Sequence, residues 1–240
     1  MKNQIYILIA LVLISNYSCA QESEYNSDNF KIQNVEVKHN NELSLTIWSI
    51  NVKGVAGQTI PKEAGQLDGA PVLGYVFPTN LKPEDVGFSK TEGIVALALT
   101  SHPDFDDTPL WDENSDNVYN NDGVIWHPHW VILTKDERVK GGLAVKQFRK
   151  EDENVILPPT NPGMPMYMDS PGYAVTTDGS IIKVVVPDYR ISHKVNFKYD
   201  GVAAFMKVNT SNDELPMLGV YDVFSVASGD LSLPYSVKED

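Results

Sequence analysis

Apolar and polar residues alternate with a period of two along much of this chain. Residues 30–37 (FKIQNVEV) and 43–52 (LSLTIWSINV) show it most clearly. In a strand, successive side chains point to opposite faces, so this alternation predicts half-buried strands. Shorter β-branched or aromatic runs follow at residues 72–77, 94–100, 124–134, 143–148, 181–186, 194–199, 202–208 and 217–226. Gly, Pro, Asn and Asp separate them, which is the punctuation expected between strands. An Asp-Gly pair between two such runs, Tyr199-Asp200-Gly201-Val202, predicts a hairpin. No long stretch keeps a 3.6-residue apolar period, so helix content is expected to be low. The fold expected is all-β, a single antiparallel β-sandwich or open barrel with two long loops at one end.

Those loops are residues 101–121 and 157–173. The second (LPPTNPGMPMYMDSPGY) holds five prolines and two glycines. Long irregular segments on a compact scaffold are uncommon and often carry function. A proline-rich one also suits a rigid cover over a sheet edge or barrel mouth.

The first residues read as an export leader. Lys2 supplies a positive start, and residues 5–14 (IYILIALVLI) form an apolar run too short to span a bilayer comfortably. Small and polar residues follow to Ala20. Residues 1–20 are therefore expected to be a signal peptide, residues 21–29 a polar tether, and residues 30–240 a single β domain. Ser18-Cys19 resembles a bacterial lipoprotein cleavage site, which implies acylation of Cys19, although Asn16 stands where that motif usually has an apolar residue. Ordinary cleavage before Gln21 is the other route. The protein is thus expected outside the cytoplasm, as an outer-membrane lipoprotein or a periplasmic or secreted form. A membrane contact is expected only through a lipid on Cys19. Cys19 is the chain's one cysteine, so the body has no disulfide and no thiol chemistry.

The net charge of −13 repels phosphate backbones and argues against a nucleic-acid partner. It attracts cations, and its distribution is uneven. Seven carboxylates lie between Asp104 and Asp122 with no Lys or Arg among them, and His102, His127 and His129 flank the stretch. Like charges crowded this way repel unless something positive sits among them. Solvation by water and salt is the other way to relieve them.

Two patterns within this stretch point to metals. Asp112-x-Asn114-x-Asp116, with Asp122 to close the shell, resembles the calcium loops of EF-hand and dockerin-type modules. It departs from them at Asn117, where such loops usually carry Gly, and at Gly123, where an EF-hand places a bidentate Glu. His127-Pro128-His129 puts two imidazoles on one strand face, similar to the first half of the ligand set in cupins and other β-scaffold metalloproteins. His102 and Asp104 are the candidates to complete the set, suited to a divalent transition metal such as zinc, copper, iron or manganese. Pro128 suggests an edge strand or bulge at that point. The opposing reading places Trp126 and Trp130 in the core with the histidines in polar niches beside them.

Tyr167, Asp169, Tyr173 and Arg190 are weaker candidates to line a saccharide or acid-binding cleft. Met164, Met166 and Met168 alternate in the proline loop, either as gap-filling contacts or as soft copper ligands. There is no Gly-rich phosphate loop and no nucleophile elbow. Three functional readings remain open. The first is an exported metal-binding protein with metal ions as its partners. The second is a metal-dependent hydrolase, lyase or oxygenase acting on a small molecule. The third is a calcium-stapled glycan-binding or adhesion module.

The leader reading is checked by mass spectrometry of the mature N-terminus. A diacylated or triacylated Cys19 is the expected end group. An unmodified Gln21 end would exclude the lipid anchor.

Overall fold

The computed structural model describes residues 24–107, 123–149 and 151–239. Among the described residues, strand makes up 42% and no helix reaches seven residues, as the period-two patterning predicts. In chain order the strands are β1 (Ile32–Asn40), β2 (Leu45–Val52), β3 (Pro71–Pro78), β4 (Ile94–Ser101), β5 (His127–Lys135), β6 (Leu143–Val145) and β7 (Met168–Asp169). They continue with β8 (Val175–Asp178), β9 (Ile181–Pro187), β10 (Lys198–Tyr199), β11 (Val202–Val208), β12 (Leu218–Val226), β13 (Tyr235–Ser236) and β14 (Lys238–Glu239).

Six of them, in the order β4-β3-β11-β12-β6-β5, form a sheet that closes on itself because β4 also pairs with β5. The barrel is closed where the sequence left a sandwich or open barrel undecided. A second sheet, β14-β1-β2-β9-β8, lies against it. Pairing is antiparallel except between β1 and β14.

Alternation along each barrel strand sorts side chains into two cores. Leu97 and Leu99 on β4, Trp130 and Ile132 on β5, and Tyr75 and Phe77 on β3 face outward. They pack against Val37, Trp48, Ile50, Ile182 and Val184 of the second sheet. Trp48 sits edge-on to both Phe77 and Trp130, at centroid distances of 5.3 and 5.8 Å, the geometry that aromatic quadrupoles favour. The inward positions are smaller: Val72, Val76, Ala96, Ala98, Val131, Ala204 and Met206 form a separate cluster inside the barrel. Small inward residues leave the barrel incompletely filled.

The proline-rich segment is stitched to the barrel wall and does not hang as a free loop. β6 covers β5 only from Leu133 to Lys135, and β7 takes over at Trp130 and Val131. Gln147 bridges to Met166 beside them. The segment therefore covers the exposed edge of β5, as its proline content suggests. Pro128 pairs with Leu99 on β4, ahead of the β7 pairing. The ring's missing N–H thus falls where β5 has one strand neighbour, the position where proline is tolerated.

Two sequence expectations are corrected. Asp200-Gly201 does not make a hairpin, because β10 pairs with β13 while β11 pairs with β3 and β12. The turn is a corner between sheets, and its partners lie near the other end of the chain. Asp200 is fully buried there, accepting hydrogen bonds from the N–H groups of Gly201 (2.8 Å) and Ser228 (3.1 Å) and from the Ser228 hydroxyl. The run His39-Asn40-Asn41 reads as a turn in the sequence, but His39 lies buried in β1 with its Nε2 2.8 Å from Asp188 Oδ2.

Asp200→Ala leaves these donors without an acceptor. It is expected to cost about 2–4 kcal/mol in denaturant unfolding, with a smaller loss for Asp200→Asn, which keeps one acceptor oxygen.

Candidate metal centre

Three imidazoles and one carboxylate meet at one end of the barrel. His127 and His129 stand two apart on β5, so the strand's alternation turns both inward, ahead of Val131 and Leu133 on the same face. β4 runs alongside with Thr100 opposite His127 and Ala98 opposite His129. His102 follows β4 directly and its ring joins the other two. Its position is set by a hydrogen bond from its own N–H to the Gly123 carbonyl, at 2.6 Å. All three histidines are 2% exposed, so their rings are buried from bulk solvent.

Asp107 supplies the fourth group. Its Oδ1 lies 3.4 Å from the Nε2 of each of His102, His127 and His129. One donor atom from each of the four residues lies within 4.8 Å of all the others, a spacing that can hold a metal ion. A tetrahedron with bonds of about 2.0–2.1 Å to nitrogen and oxygen has edges of about 3.3–3.4 Å. The three contacts from Asp107 have that edge length. The His102 Nε2–His127 Nε2 separation, 2.8 Å, is shorter.

The outward nitrogens define the protonation of the inward ones. His102 Nδ1 lies 2.7 Å from the Phe105 carbonyl oxygen, and His127 Nδ1 lies 2.7 Å from that of Ile125. A carbonyl only accepts, so each Nδ1 carries a hydrogen, and the neutral form of each ring has its lone pair at Nε2. His129 Nδ1 is held by Ser170 Oγ at 3.0 Å. All three rings are thereby fixed with Nε2 toward a common point, as outer-shell partners of metal-bound histidines usually fix them. Asp107 Oδ1 and His129 Nε2 are buried and have no hydrogen-bond partner. The Nε2 atoms of His102 and His127 face each other at 2.8 Å, and two lone pairs at that distance repel unless a cation or a proton lies between them.

The electrostatics differ among the four groups. Burial drives His129 down to about 3, and the neighbouring His127 and His102 add to this against the pull of Asp107, so its ring is neutral. Burial alone would also lower His102, but the Asp107 carboxylate and the Phe105 carbonyl outweigh it and raise its pKa. Burial works against ionisation of Asp107 as well. The surrounding imidazoles overcome it and hold the carboxyl well below its usual range.

The structure brings together His102, His127 and His129 as the sequence suggests, and corrects the carboxylate. Asp104 turns away: its oxygens accept from the backbone N–H groups of Gly65 (2.6 Å) and Ala64 (3.1 Å). Asp107 takes its place. The calcium-loop residues Asp112, Asn114, Asp116 and Asp122 lie outside the described residues. Gly123 is a site residue that sequence reasoning missed. A Cβ there would collide with the carbonyl oxygens of His102 and Phe105, so only glycine lets the chain close against His102. Its place beside the cluster was visible in the sequence, but the close approach was not.

The weaker candidates do not form one cleft. Asp169, Tyr173 and Arg190 make a polar network behind β5. The Thr160 hydroxyl (2.6 Å) and Arg190 Nη2 (3.2 Å) donate to Asp169, and Trp130 Nε1 donates to the Tyr173 hydroxyl at 3.2 Å. Burial raises the Asp169 pKa and pushes Tyr173 up to about 12. Asp169 directly precedes Ser170, so this network anchors the residue that holds His129. Tyr167 is separate, packed edge-on against Phe88 and Phe148. His193 is also apart, at positive φ after a 3-10 turn. Met164, Met166 and Met168 pack with the barrel's inner cluster, the gap-filling role.

No protein-family model, curated protein or solved structure matches this chain. The site's chemistry therefore rests on its own geometry.

Ser170→Ala removes the group that orients His129 and is expected to weaken metal binding by about ten- to a hundredfold. Asp104→Ala should leave it unchanged. Competition against a chromophoric chelator measures both.

Proposed function

We propose that this protein is an exported metal-binding protein that holds one divalent transition-metal ion between His102, Asp107, His127 and His129. The observation that carries this reading is the convergence of three Nε2 atoms on Asp107 Oδ1 at 3.4 Å each, with the outward nitrogens of His102 and His127 committed to backbone carbonyls. Buried groups of this kind normally have partners. A cation satisfies all four at once and removes the repulsion between the facing lone pairs. Three imidazoles and one carboxylate suit zinc, iron, manganese or copper better than magnesium or calcium, which prefer all-oxygen shells. Four protein donors complete a tetrahedral shell, which favours a holding role over water activation. A catalytic role requires a metal that accepts a fifth or sixth ligand.

Export is proposed on the leader alone, residues 1–20, and anchoring on Cys19. Calcium in the acidic loop is proposed on the Asp112, Asn114, Asp116 and Asp122 spacing. That loop connects Asp107 to Gly123, so an ion there would tie down both flanks of the histidine site.

One competing arrangement has specific support. A proton shared between His102 and His127, with Asp107 as counter-charge, accords with the raised His102 and the lowered Asp107. Metal analysis separates the two. Protein purified without chelator is expected to carry about one equivalent of a transition metal, lost in the His127→Ala, His129→Ala double variant. Adding that metal to stripped protein at about a hundred times Kd should contribute about 2.7 kcal/mol. For a chain of this size that raises Tm by about 5–10 °C. Metal-free protein whose Tm does not respond to zinc, iron(II), manganese or copper, and whose His102 titrates as an imidazolium by NMR, would establish the proton instead.

A further inference from the structure

The metal cluster closes one end of a cavity of about 340 Å³ that occupies the barrel interior. The wall is made by Val72, Val76, Ala98, Val131, Met206 and Val220, among other aliphatic side chains. Protein interiors are normally filled to crystal-like density. A cavity of about 150 Å³ lined by aliphatic groups already takes up benzene. By proportion, this one has room for about a dozen non-hydrogen atoms.

Its polarity is one-sided. At the metal end the lining includes Thr100, His102, Asp107 and His129. Three atoms there are buried without partners: Thr100 Oγ1, Asp107 Oδ1 and His129 Nε2. An apolar pocket with a few convergent polar groups at one point is the usual form of a small-molecule site. At the opposite end the lining includes Leu231 and Leu233. Both lie in the left-handed region, at φ 59° and 54°, where leucine is strained, and such strain concentrates at ligand clamps and mobile covers. Leu231 is 39% exposed, so the cover reaches solvent.

We infer that the barrel binds a small apolar molecule with a carboxylate head, its tail along the aliphatic wall and its head at the metal end beside Thr100. Three neutral imidazoles, one carboxylate and a divalent ion leave one positive charge, which a second carboxylate neutralises. The Thr100 hydroxyl supplies a donor to the head. Access runs past Leu231 and Leu233, at the end of the cavity away from the Asp107 carboxylate. This inference rests on the metal reading for its head group and on the cavity for its tail.

Isothermal titration of decanoate, which has twelve non-hydrogen atoms, into metal-loaded and metal-stripped protein tests it, with metal content measured on each sample. Decanoate is expected to bind the loaded protein one to one and the stripped protein about tenfold or more weakly. Val76→Phe and Ala204→Leu both fill the cavity away from the histidines. At least one that folds by circular dichroism and keeps its metal should lose decanoate binding by about tenfold or more. Stoichiometrically loaded protein that does not bind decanoate overturns the inference while leaving the metal reading intact. Equal binding with and without metal overturns the head-group placement, and undiminished binding in folded, metal-loaded variants of both positions overturns the cavity. Failure of the protein to take up any metal is a failure of the underlying reading, seen in the metal content before decanoate is added.

Discussion

Three imidazole nitrogens and one carboxylate oxygen are held within a few ångströms of each other and buried from bulk solvent. Everything distinctive about this molecule depends on how that crowding is relieved. In water, four such groups would be solvated separately. Inside the barrel each must find its partner among the others or in a cation. In their neutral forms, rings with Nδ1–H turned outward cannot donate to one another or to the carboxylate, and either a cation or a shared proton relieves the repulsion that remains.

It is fixed from three directions. The pairing of β4 with β5 closes the barrel and places His127 opposite Thr100 and His129 opposite Ala98. The Gly123 carbonyl receives the His102 N–H, while the absence of a side chain at Gly123 allows the carbonyl oxygens of His102 and Phe105 to lie close. The proline-rich segment pairs with β5 through β7 and delivers Ser170 to His129, anchored by buried Asp169 with Thr160 and Arg190. A segment that reads as a cover for a sheet edge thus also orients a ligand. Its rigidity serves both roles, since proline restricts backbone freedom before folding begins.

The two cores differ in how completely they are filled. The outer core, with Trp48 edge-on to both Phe77 and Trp130, joins barrel and second sheet through large, fully buried side chains. The inner core is built from valine, alanine and methionine and leaves space. A barrel of six strands with small inward residues does not fill itself, and the space it leaves opens onto the polar end wall.

The sequence by itself determined the all-β class, the approximate extent of most strands, the absence of substantial helix and the pairing of His127 with His129 on one face. Each of these follows from local rules: the period of apolar residues, turn residues between runs, and the alternation of side chains along a strand. Tertiary structure alone decided the rest, because each remaining choice depends on a partner far away in the chain. Asp104 and Asp107 are equally plausible ligands by composition. Asp104 is taken up by the N–H groups of Ala64 and Gly65, about forty residues distant, and Asp107 is left to face the imidazoles. Asp200-Gly201 has the form of a hairpin turn, yet β10 finds its partner in β13 near the C-terminus. Barrel closure, the cavity and the fixing of His129 by Ser170 likewise require segments that only folding brings together. Local propensity constrains a residue's backbone and facing. Which groups meet at a point depends on long-range pairing, and no short window of sequence contains that information.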